Sequence, residues 1–194
     1  MVTPGTPLPV RSAPPGTGPT DPETGYAVPD ELRQRPLTGP SLAAGGGCPV
    51  DVPRPSGVAD VGDVPGPGPV YPGSLSPTGE LEIAPPNQPS SVFEGEFGGQ
   101  KVGWLIDPRR YAGPVLIRGV RLDGDGGDDV RFWEGSDPPR AMQLPAGPSN
   151  SSIPGLDWYF WPSYTRLRGP GCYAWQVDGL DFSYHVTFGA VMAR

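Results

Sequence analysis

The chain has 194 residues, of which glycine and proline supply 30 each. These are the residue types least tolerated in helix interiors, so a helical bundle or coiled coil is excluded. Acidic residues outnumber Lys and Arg by 21 to 14, giving a net charge of -7, which argues against a general nucleic-acid-binding surface. Apolar runs are only a few residues long, far short of the roughly 18 to 20 residues of a membrane-spanning helix.

Composition divides the chain. All Trp and Phe residues lie after residue 92, whereas Tyr26 and Tyr71 are the aromatics of the first 90 residues. Proline recurs through those 90 residues at intervals too short for ordinary helices or central strands. Residues 1–46 therefore read as a disordered, polyproline-II-like tether, with a single helical turn predicted in the stretch from Asp30 to Arg35. Residues 47–90 read as a loop-rich segment laid over a core, with one short strand from Glu80 to Ala84.

Residues 91–194 carry the pattern of strands. Segments 101–106, 129–133, 141–144, 158–161, 173–177 and 182–188 are each bounded by turn residues. In the segment 115–122, Val115 and Ile117 have one parity while Val120 and Leu122 have the other, which predicts a β-bulge at Gly119. Phe182, Tyr184, Val186 and Phe188 share one face of the last segment, with Ser183, His185 and Thr187 on the other. The expected fold is all-β, an immunoglobulin-like antiparallel β-sandwich, with a small barrel as the alternative.

Two cysteines, Cys48 and Cys172, stand far apart in the chain. A disulfide in an exported protein and two free thiols are both open readings, and with a single histidine the set is too small for a structural zinc site. Residues 1–20 show neither the basic start nor the apolar run of a signal peptide, so the export signal is expected to be missing from this chain. Cys48-Pro49-Val50, Trp104-Leu105, the stretch from Gly119 to Asp123 and Gly169-Pro-Gly-Cys-Tyr-Ala-Trp-Gln-Val-Asp-Gly179 together resemble uncharacterised secreted β-sandwich proteins of actinobacteria. The resemblance covers about residues 48 to 190. It implies that Cys172 pairs with Cys48 and that the protein is exported; it implies no particular chemistry.

Candidate chemistry is sparse. His185, the lone histidine, lies on the polar face of its segment, where a solvated side chain is the ordinary outcome. Glu94, Glu96, Asp107, Glu134, Asp157 and Asp178 could supply a carboxylate pair for glycoside hydrolysis, but nothing in the linear order pairs any two. Asp123, Asp125, Asp128 and Asp129 form a weak calcium candidate: the segment opens like an EF-hand loop, yet Asp128 stands where that loop requires glycine. A plain acidic turn is the simpler reading. The run from Trp158 to Tyr164 is the densest in aromatics. If Trp158 and Phe160 face the core, Tyr159 and Trp161 face outward, and with Tyr164 they form a candidate platform for a sugar ring or a protein partner.

These readings converge on a non-enzymatic exported binding module of the cell envelope or extracellular space, with no cofactor and no nucleic-acid partner. Its partner would be an envelope protein or a glycan. The alternatives are a carbohydrate- or peptidoglycan-binding module and, further off, a carboxylate-dependent hydrolase.

Overall fold

The computed structural model describes residues 9–10, 13–43, 45–58, 61–88, 92–124 and 128–193. Two antiparallel sheets enclose one core, so the fold is all-β. The chain order is a one-turn helix α1 (Asp30–Arg33), then β1 (Arg54–Pro55), β2 (Asp63–Val64), β3 (Val70–Pro72), β4 (Glu80–Ile83), β5 (Gly98–Ile106) and β6 (Val115–Arg121). There follow β7 (Val130–Phe132), β8 (Ala141–Leu144), β9 (Tyr159–Leu167), β10 (Gly171–Gly179) and β11 (Phe182–Met192). Strands β4-β11-β10-β6-β8 form a five-stranded sheet, strands β3-β5-β9-β7 a four-stranded one, and β1 pairs with β2 alone. Each connection from β3 to β10 crosses between the two large sheets, whereas β10 and β11 form a hairpin within one. One pair departs from the antiparallel pattern: β11 runs parallel to β4. Among the described residues no helix is long and apolar enough to cross a membrane.

Alternation puts Val102, Trp104 and Ile106 of β5, Ile117 of β6, and Tyr173, Trp175 and Val177 of β10 into the space between the sheets. Trp175 meets Trp104 edge to face at 5.4 Å between ring centroids and stacks on Phe188. Aromatic rings thus pack at the centre of a core that also holds many aliphatic side chains. The segment expected as loop over 47–90 contributes to it directly, because β3 and β4 are short edge strands that place Val70, Leu81 and Ile83 inside. A second cluster, around Tyr71, Leu105 and Trp158, covers the opposite face of the four-stranded sheet.

The remaining face, the outside of the five-stranded sheet, is covered by the N-terminal segment. Over residues 13–43 this differs from the free tether expected of 1–46; residues 1–8, 11–12 and 44 lie outside the described residues. Val28 and Leu32 are buried against Leu116, and α1 forms where a single helical turn was expected. The segment crosses the sheet as a strap. Gln143 on β8 accepts from Val28 N at 3.0 Å and donates to Pro19 O at 3.1 Å. Gln176 on β10 accepts from Thr38 N at 2.7 Å and donates to Pro36 O at 3.0 Å. Each carboxamide therefore satisfies one donor and one acceptor of a chain whose prolines leave it few of its own. Arg118 of β6 donates to the Arg35 carbonyl and to the buried Asp178 of β10. Cys48 is bonded to Cys172, and Asp51 exchanges two bonds with the backbone of Thr187 on β11.

The strap also explains the phase change in β6. No bulge occurs at Gly119, since the β6 register with β10 runs unbroken from Leu116 to Arg121. Val120 points outward to the strap, where it and Leu122 lie under Gly39 so closely that a Cβ there would fall within 3.0 Å of either. Gly119 itself faces inward, and a Cβ on it would collide with Val130.

Candidate ligand-binding cleft

Strand β9 sets the geometry. Its register with β5 opposes Trp161 to Trp104 and Tyr159 to Ile106, so both aromatics pack against the main core. This inverts the expected phase: Phe160 is the residue that faces out, joining Trp158 in the second cluster. The strand runs through Pro162 to Leu167, and its buried Ser163, Thr165 and Leu167 fix the inner parity. Pro162 is tolerated because β7 pairs only with residues 165–167, leaving the β9 edge beside Pro162 open for a residue without an N–H. Tyr159, Trp161 and Tyr164 therefore do not share a surface.

Tyr164 is on the outer face, directly opposite Lys101 of β5, the lone lysine of the chain. Its ring meets Phe93 edge to face at 5.7 Å. Its hydroxyl is bonded to Glu134, and that carboxylate, with burial, raises the phenol above its ordinary value. Trp133 follows β7 in the left-handed region, φ 65, a conformation unusual for a bulky aromatic. It is held from both sides: its backbone N–H donates to Tyr164 O at 3.1 Å, and its indole N–H donates to Asp21 of the strap at 2.9 Å. Asp21 is buried and also accepts from the backbone N–H groups of Glu23, Thr24 and Gln143.

Together Glu23, Lys101, Trp133, Glu134, Pro162, Ser163 and Tyr164 line a cleft of about 240 Å³. Glu23, Lys101 and Glu134 are exposed at its rim, while the Ser163 hydroxyl is engaged by the Val102 carbonyl at 2.9 Å. The cleft thus offers aromatic surface, two carboxylate acceptors and one ammonium donor. That is a combination suited to a ring with an apolar face and hydroxyl groups at its edge. Sequence reasoning singled out Tyr164 and, among the carboxylates, Glu134. It missed Lys101, Trp133 and Glu23, which reach the cleft only through strand register and strap docking.

The other candidates are dispersed. Asp123 pairs with Arg121 at 2.8 Å, Asp129 with Arg168 at 3.0 Å, and Asp128 with Arg131 and Arg140, while Asp125 lies outside the described residues. Arg131 beside Asp128 holds that carboxyl below its usual range. Among the described residues no group of three or more His, Cys, Asp or Glu side chains is placed to hold a metal ion. His185 meets the strap, with Nε2 3.1 Å from the Thr38 carbonyl oxygen. Asp107 pairs with Arg109, Glu96 with Arg168 and Asp178 with Arg118. In comparisons with known proteins the chain matches no family model, no curated protein and no solved structure.

Proposed function

We propose that this protein is a non-enzymatic binding module that works outside the cell or at its envelope, and that the cleft over β9 binds carbohydrate. The observation carrying this reading is the convergence of Tyr164, Trp133, Lys101, Glu134 and Glu23 on one open cleft. Its volume lies below the roughly 300 Å³ at which drug-sized pockets begin, which suits a single sugar ring, free or within a chain. The Cys48–Cys172 bond supports an oxidising compartment. Screening the full-length protein on a glycan array, followed by titration of tryptophan fluorescence with the best binder, tests the proposal. Tyr164→Ala is expected to weaken binding at least about tenfold, equivalent to about 1.4 kcal/mol, with little change in Tm. An array without signal, or binding untouched by Tyr164→Ala, rejects the reading.

A second reading has one observation in its favour: Glu23 and Glu134 line the same cleft, so a carboxylate pair for glycoside hydrolysis is present in kind. Incubating the bound glycan with the protein and assaying new reducing ends separates the two. Turnover that Glu134→Gln abolishes establishes a hydrolase; intact glycan leaves a binding module.

A further inference from the structure

A second cavity, independent of the cleft, lies between the strap and the five-stranded sheet. It measures about 230 Å³ and is lined by Pro19 and Arg33 of the strap, Leu116 and Arg118 of β6, and Ala141 and Gln143 of β8. Its apolar wall is Pro19, Leu116 and Ala141. Its polar wall is two guanidinium groups, because the Gln143 carboxamide is already used by Val28 N and Pro19 O. Arg33 donates through Nη2 to Asp30, and Arg118 donates through Nη1 to Arg35 O and through Nη2 to Asp178. In both residues the Nε–H is buried and has no hydrogen-bond partner.

Buried donors of charged groups are rarely left without an acceptor. Among the described residues, Arg33 pairs with Asp30, while Arg35 and Arg118 both pair with Asp178. The Arg33 side chain is 25% exposed and that of Arg118 13%, the latter held by Asp178. From the orphaned donors, the two lining guanidinium groups and the apolar wall we infer that this cavity binds a small organic carboxylate. Its oxygens accept from Arg33 and Arg118, and its short hydrocarbon body lies on Leu116 and Ala141. Guanidinium and carboxylate match as planar, bidentate partners. Because Arg33 belongs to the strap and Arg118 to the sheet, the ligand joins one to the other.

The experiment is thermal unfolding of the full-length protein with sodium butyrate, against butyramide as the neutral isostere and sodium sulfate as an inorganic anion, all at constant ionic strength. Butyrate near 100 times its Kd is expected to raise Tm by about 5 °C or more, with butyramide and sulfate giving smaller shifts. Arg33→Gln is expected to remove the butyrate shift. Ala141→Leu, which fills the cavity and leaves both arginines, is expected to remove it as well. No shift with butyrate, an equal shift with butyramide or sulfate, or a shift retained in both variants overturns the assignment.

Discussion

Strand β10 has two faces that are buried by different means. Inward, Tyr173, Trp175 and Val177 join the core between the sheets, where Trp175 touches Trp104 and Phe188. Outward, Gln176 and Asp178 are equally removed from water, yet they are covered by the strap and hold it, Gln176 through bonds to its backbone and Asp178 through an ion pair with Arg35. The inner interface gains from apolar area taken out of water, about 25 cal/mol per Å². The outer one buries a smaller apolar cluster, Val28, Leu32 and Leu116, and adds about 1 kcal/mol net for each hydrogen bond, bonds that water restores when the strap lifts. The core is therefore expected to open only with the whole domain, and the strap to open piecewise up to its disulfide anchor at Cys48.

The largest test of that contrast is Trp175→Ala. Removing a fully buried indole from the core is expected to cost about 3 to 5 kcal/mol, read as a fall in the midpoint of one cooperative denaturant transition. A loss confined to faster hydrogen exchange in residues 13–43, with the midpoint unmoved, would place Trp175 on the wrong side of the comparison.

Gln176→Leu probes the other face of the same strand. It leaves Thr38 N and Pro36 O without their partner, a cost of about 1 to 3 kcal/mol if the strap stays docked. The strap escapes most of that cost by lifting into water. Hydrogen exchange in residues 36–39 is thus expected to speed up on the order of tenfold, while the global midpoint moves by less than it does in Trp175→Ala. Equal global losses in the two variants would show that strap and core unfold as one unit.

Much of the inner face was legible in the sequence and most of the outer face was not. Phe182, Tyr184, Val186 and Phe188 alternate cleanly, because a strand buried on one side carries its own period of two. The pairing of Cys48 with Cys172 followed from resemblance. The strap resisted reading because its docking residues are ordinary polar side chains, Gln143 and Gln176, whose partners are backbone groups of a proline-rich segment with no periodicity. Its one trace was the parity change at Val120 and Leu122, which a bulge explains equally well from sequence alone. In β9, Trp158 and Phe160 share the parity of an apolar face, and only the continuation to Leu167 shows that Tyr159 and Trp161 belong inside. The cleft inherits both difficulties, since it needs the β9 phase for Tyr164 and the strap for Glu23 and Asp21.

Tyr184 sharpens the contrast by setting a polar contact in the inner interface. It packs against the core from β11, and its hydroxyl binds both polar groups of Val70 on β3, accepting from the N–H at 3.1 Å and donating to the carbonyl. Burial pushes this phenol well above its ordinary value. The phenol therefore stays neutral in the fold at a pH where the unfolded chain, with tyrosine near pH 10, has already lost the proton. The stability this contributes is fully present below about pH 10 and is lost as pH rises above it, by about 1.4 kcal/mol per pH unit for one such group. Tyr173, also raised by burial, adds its own share. Tyr184→Phe is expected to make the decline of the urea midpoint between about pH 10 and 11.5 shallower by one tyrosine's share, although removing the hydroxyl lowers stability modestly at neutral pH. A contact of the strap kind would behave differently, because local opening would let the phenolate reach water without loss of the fold. Unchanged alkaline slopes in Tyr184→Phe would then mean that the seam between β3 and β11 opens locally, and that the inner interface is not held by area alone.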